Sequence, residues 1–157
     1  MTFEELIAAF AARYGIEGLE AGDGAAALDV DGMEVGILYD GPADAVTLCA
    51  EIGEPPATAE DRFGGVMLQA NFLFRGTDGA TLAQDPDTEA FAIVRALELP
   101  GLDPDAFSEA VERFVNQLER WKRLLADFRP AMLQTAKQEE PGDPGIAMQF
   151  EQNFLKV

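Results

Sequence analysis

The chain contains no histidine. The commonest general base, the usual catalytic triads and the commonest metal ligand are therefore missing, and most enzyme classes go with them. Cysteine occurs once, as Cys49, which cannot close an intramolecular disulfide and suits a reducing compartment. Basic residues are scarce: 11 Lys and Arg against 29 Asp and Glu leave a formal charge of -18 over 157 residues. A surface of that sign repels phosphate backbones and anionic lipid, so neither nucleic acid nor membrane is expected as a partner. Long apolar runs are missing too, the stretch from Ala25 to Leu28 being typical, whereas spanning a bilayer takes roughly 20 residues. Met1-Thr2-Phe3-Glu4-Glu5 places no basic region ahead of an apolar stretch, so a cleaved secretory signal is not expected and a cytoplasmic location is.

What is present is an ordinary apolar content of 48%, enough for one domain with a core. Thr2 and Glu5 form the pattern of a capping box, and Phe3, Leu6, Ile7, Phe10 and Tyr14 follow at helical spacing until Gly15. Ala25–Val30 reads as a strand, Asp31-Gly32 as a tight hairpin turn, and Met33, Val35, Ile37 and Tyr39 alternate along a second strand. Val46, Leu48, Ala50 and Ile52 make a third strand with one apolar face. After Pro55-Pro56 a helix is expected to open at Thr58 or Ala59 and to carry Phe63, Val66, Met67, Ala70 and Phe74. Gly64-Gly65 weakens that helix by up to about 2 kcal/mol against alanines, which suggests that something packs closely there. A second hairpin follows, Ala80–Gln84 and Glu89–Leu97. Asp103-Pro104 then opens a long helix with the stripe Phe107, Ala110, Val111, Phe114, Leu118, Trp121, Leu125 and Phe128.

These elements give an α+β chain in the order α-βββ-α-ββ-α. The domain is expected over residues 1–129, with 130–157 as a C-terminal extension. In that extension Pro141-Gly142-Asp143-Pro144-Gly145 precedes the apolar positions Ile146, Met148, Phe150, Phe154 and Leu155, expected to be either flexible or docked in a groove as self-inhibiting anchors.

No residue cluster asks for catalysis. Asp29-Val30-Asp31-Gly32 and Asp85-Pro86-Asp87-Thr88-Glu89 contain carboxylates at calcium-loop spacing, but neither completes the twelve-residue ligand pattern, and turn chemistry accounts for both. Cys49 has no histidine to activate it. Neither an enzyme nor a cofactor is expected. Leu38 stands out because it lies on the mixed face of its strand, beside Glu34 and Gly36, where an apolar side chain suggests a docking patch.

Three segments carry a resemblance. Leu68-Gln69-Ala70-Asn71-Phe72-Leu73, Gly79-Ala80-Thr81-Leu82-Ala83-Gln84-Asp85-Pro86-Asp87-Thr88 and Phe114-Val115-Asn116-Gln117-Leu118-Glu119-Arg120-Trp121, in that order, are similar to stretches of the class I type III secretion chaperone family, including its Tir chaperone branch. The likeness covers about residues 1–128. It implies a bacterial homodimer with a twisted antiparallel sheet in each subunit, which binds a segment of a secreted effector polypeptide in extended form and keeps it soluble and export-competent. A non-catalytic regulatory or scaffolding domain of the same fold is the alternative. By the same resemblance Phe63, Val66, Met67, Ala70 and Phe74 are expected at the dimer interface, where Gly64-Gly65 would allow close approach. Phe3, Leu6, Ile7 and Phe10 are expected to pack on the sheet as core residues and, at the exposed edge of the first helix, to contribute with Leu38 to effector binding.

Overall fold

A computed structural model describes residues 1–57 and 62–129. The elements are α1 (Phe3–Tyr14), β1 (Ala25–Val30), β2 (Met33–Asp40), β3 (Ala45–Gly53), α2 (Phe63–Asn71), a 3₁₀ turn (Phe72–Phe74), β4 (Thr81–Gln84), β5 (Phe91–Glu98) and α3 (Pro104–Asp127). This is the α+β order expected from the sequence. The chain divides into Met1–Asp127 and Phe128–Val157, and every one of these elements belongs to the first unit.

The expected capping box closes α1: the Glu5 N–H donates to Thr2 Oγ1 while the Thr2 N–H donates to the Glu5 carboxylate. Gly15 ends the helix with φ of 63°, a left-handed cap that glycine adopts without strain. Asp31 and Gly32 take φ of 53° and 79°, the handedness that a two-residue hairpin needs to match the strand twist.

All five strands are antiparallel, in spatial order β1-β2-β3-β5-β4. The inner face is the apolar one that alternation demands: Ala26, Leu28, Val35, Ile37, Val46, Leu48, Ala50, Ile52, Phe91 and Ile93 are all buried. Helix α3 packs across β3, α1 lies beside α3, and α2 sits at the β4 margin. The stripe of α3 is buried from Phe107 to Trp121, and the helix ends at Asp127, one residue before the expected Phe128. Aromatic rings tie the layers together. Phe63 stacks on Phe91 at 5.6 Å and meets Trp121 edge-on at 5.9 Å, while Phe10 meets Phe107 edge-on at 5.4 Å.

The second helix departs most from expectation. The expected opening at Thr58 or Ala59 lies outside the described residues. At its other end α2 stops at Asn71 instead of running to Phe74, and Leu73 and Phe74 both take φ of 54°. The chain turns back sharply here: the Gly76 N–H donates to the Ala70 carbonyl at 3.1 Å, and a Cβ on Gly76 would stand 2.7 Å from that of Ala70. Only glycine permits such an approach.

Candidate functional site

The two margins of the sheet differ. At β4 the outward backbone of Leu82 is taken: its N–H donates to Asn71 Oδ1 at 2.8 Å, and its carbonyl accepts from Asn71 Nδ2 at 2.9 Å. One carboxamide thus imitates a neighbouring strand and closes that edge. At β1 the outward N–H and C=O of Ala25 are paired with Gly22 at 2.9 and 2.8 Å, and beyond Ala25 no such cover is in place among the described residues. The two-residue turn makes Val30 and Met33 a hydrogen-bonded pair, and the Tyr39 N–H donating to the Gly24 carbonyl at 2.8 Å carries the same parity to the strand's other end. Alternation then turns the N–H and C=O of Ala27 and Asp29 outward, away from β2.

Beside this open edge lies a cleft of about 440 Å³ between β1, the end of α1 and the first half of α3. Its apolar wall comes from Phe10, Tyr14, Leu28, Val30, Val111 and Val115, and its charged rim from Asp29, Asp31 and Glu112. Open main-chain groups next to an apolar furrow are what an added strand requires, since backbone bonds hold the chain while alternate side chains enter the furrow.

The sequence-expected positions fall on both sides of the surface. Phe3, Leu6 and Ile7 are buried in the subunit core and present no surface to an effector; Phe10 is also buried, though its ring forms part of the cleft wall. Their burial has a simple cause: the apolar stripe of a short helix is consumed by packing on the sheet and α3. Leu38 is 44% exposed on the outer sheet face, where its position on the mixed side of β2 puts it. Tyr14, Val30, Val111 and Val115 were missed as cleft residues, because their helical and strand periodicity reads the same whether the face is covered or left at an opening.

The residues expected at the dimer interface also divide by burial. Phe63 and Met67 are buried inside the subunit, Val66 and Ala70 are half-buried, and Phe74 is exposed. Phe63 and Met67 stand four positions apart on the helix, so both face inward, where Phe63 lies against Phe91 and Trp121. The exposed apolar surface is instead Leu68, at 73% exposure, with Phe72, Leu73 and Phe74, each more than half exposed. Among the described residues nothing stands within 4 Å of a Cβ placed on Gly64 or Gly65, so none of them supplies the close packing expected there. The tail positions Ile146, Met148, Phe150, Phe154 and Leu155 lie outside the described residues.

Little in the described residues invites chemistry. Burial pushes the Cys49 thiol up, away from the thiolate that nucleophilic attack needs. Among the described residues no cluster of Cys, Asp or Glu is arranged to hold a metal ion, and no helix is long and apolar enough to cross a membrane.

The comparisons with known proteins bear on the whole of this geometry. The family model of the Tir chaperone protein (CesT) family matches residues 5–122. The chain belongs to that family. Among solved structures, the ExsC–ExsE complex matches with a TM-score of 0.67 and 21% identity, covering 80% of this chain and 97% of the other. The HopA1–SchA chaperone–effector complex matches at 0.63 and 15% identity over 80% and 94%. The ExoU–SpcU complex of the Pseudomonas aeruginosa type III secretion system matches at 0.61 and 19% over 79% and 98%. No curated protein matches the chain. The three segments that carried the resemblance converge in the fold of this Tir chaperone family member. Asn71 of the first binds Leu82 of the second, and Trp121 of the third donates its indole N–H to the carbonyl of Gly76, between the first two, at 3.1 Å.

Proposed function

We propose that this protein is a type III secretion chaperone that holds a segment of an effector polypeptide in extended form along the β1 edge and its cleft. Held there, the client stays soluble and export-competent in the bacterial cytoplasm. The observation that carries this reading is the asymmetry of the sheet margins: one is sealed by Asn71, whereas the other leaves Ala27 and Asp29 open beside an apolar furrow. The family assignment and the complexes with which the fold is shared support it. No catalytic step is needed, because main-chain pairing and burial supply the affinity.

The same reading includes a homodimer. Leu68, Phe72, Leu73 and Phe74, with the bare backbone at Gly64-Gly65, form a surface that a second copy would cover across a two-fold axis. Two successive bulky residues in the left-handed region, Leu73 and Phe74, present this corner outward at a cost of about 1–3 kcal/mol each, which favours a role for it beyond the subunit's own packing.

The test is recovery of the bound polypeptide from the native cell, followed by limited proteolysis. A short protected segment near the partner's amino terminus is expected, whereas a compact protected domain would favour the regulatory or scaffolding alternative. Ala27→Pro sharpens the test. Proline at an outward edge position removes one open donor without touching the β1–β2 ladder, so client affinity should fall by about tenfold or more while the fold is kept. Unchanged affinity would remove the edge from the mechanism.

A further inference from the structure

The outer face of the sheet carries an arrangement that folding alone does not explain. Asp29 and Glu34 are direct cross-strand partners on β1 and β2. Both side chains point away from the core, since Leu28, Val30 and Val35 alternate with them toward it. By the parity of the hairpin this is a non-hydrogen-bonded pair, the closer kind, in which like charges directly opposite are destabilising. Asp29 is further held in place because its Oδ1 accepts the Gly32 N–H at 3.1 Å. Glu51, two residues beyond the Cys49 partner of Gly36, lines the same shallow depression as Glu34. Three carboxylates therefore run in a row across β3, β2 and β1, and the row ends at the open edge.

A strand added to β1 would place its outward side chain next in that row, beside Asp29, while its neighbours on either side would enter the cleft against Leu28, Val30 and Val115. The cleft rim on the inner side carries Asp31 and Glu112, and no Lys or Arg is among its lining residues. We infer that the client segment held at this edge alternates apolar residues with lysine or arginine, the apolar ones filling the cleft and a basic one extending the Asp29–Glu34–Glu51 row. The inference rests on the client reading of the β1 edge and adds the chemistry of the client: sequence-tolerant burial on one face, and selection for positive charge on the other. A cationic side chain converts a repulsive row into a paired one, so the protein gains from the client what its own strands withhold.

The probes are three short fluorescein-labelled peptides that share one alternation of valine and leucine and carry lysine, glutamine or glutamate at the intervening positions. Binding is read by fluorescence anisotropy on the full-length protein. The lysine peptide is expected to bind about fivefold or more tighter than the glutamine peptide, and the glutamate peptide weaker than both. In D29N/E34Q, which keeps the Gly32 hydrogen bond available, the lysine advantage should shrink to within about twofold while the glutamine peptide binds as before. D87N/E98Q removes the same formal charge from exposed positions away from β1 and should leave the advantage intact. An advantage that survives D29N/E34Q would mean that the protein's overall negative field attracts lysine, and the inference is overturned. Binding of the glutamine peptide with no lysine advantage overturns it as well, while leaving the edge as a client site. Failure of the glutamine peptide to bind wild-type protein removes the edge reading and this inference with it.

Discussion

Asn71 and Leu82 exchange two hydrogen bonds, side chain to backbone in both directions, at 2.9 and 2.8 Å. The pair joins the end of α2 to the outermost strand and decides which sheet margin is available. A helix residue serving as a substitute strand also explains why α2 stops where it does, since the Asn71 side chain reaches sideways to β4 as the chain reverses toward Gly76.

Asn71→Ala should leave the part-buried N–H and C=O of Leu82 without partners. A loss of about 1–3 kcal/mol is expected in urea-denaturation stability, with a raised tendency to aggregate as the second edge opens. Unaltered stability would show that water replaces the carboxamide without loss.

Leu68→Glu combined with Phe72→Glu puts charge on the exposed apolar corner. Subunit stability should change by no more than about 0.5 kcal/mol, because both side chains are exposed. Light scattering should report a shift from dimer to monomer. A wild-type protein that is already monomeric at micromolar concentration would remove the dimer proposal.

Leu6→Ala separates a core role from a client role. Leu6 is fully buried, so the substitution should cost about 2–5 kcal/mol of stability. At a temperature where the variant remains folded, client affinity should be unchanged, as measured by titration of the recovered client segment. A selective loss of affinity would return α1's buried face to the binding site.

Acid should weaken one specific tie. Arg113 Nε donates to Asp78 Oδ2 at 2.7 Å and its Nη2 to Oδ1, an arrangement that holds the Asp78 carboxyl below its ordinary value of 3.8. A carboxyl depressed in the folded state stabilises it above the ordinary value, and that contribution disappears as pH falls through the lowered one. Wild-type protein should thus be more stable than Asp78→Asn at neutral pH, with the two converging below about pH 4 in parallel thermal melts. A constant difference across that range would assign the effect to something other than the charge pair. Both groups are exposed to solvent, so the effect should also shrink with added salt.

The apolar positions beyond Pro130 are open to a deletion test. If Ile146, Met148, Phe150, Phe154 and Leu155 compete with the client, removing residues 131–157 should raise client affinity. Equal or weaker binding by the shortened chain counts against competition.

The strands and the first helix are legible in the amino-acid order because their periods are unambiguous. Val46, Leu48, Ala50 and Ile52 alternate cleanly, Asp31-Gly32 admits one kind of turn, and Thr2 with Glu5 marks a helix start. The second helix resists reading for the opposite reason. Phe63, Val66, Met67 and Leu68 put apolar side chains on several of its faces, so period alone does not say which lie inside.

By itself, then, the amino-acid order determined the element types, the apolar face of each strand, and the acidic, histidine-free character of the chain. Tertiary structure alone decided which strands became margins, that Asn71 would close one of them, and that the hairpin pair Asp29 and Glu34 would stand at the other in line with Glu51. The physical reason is that period and capping are local properties of a few adjacent residues, whereas an open edge, a cleft or a row of like charges exists only between segments that folding brings together.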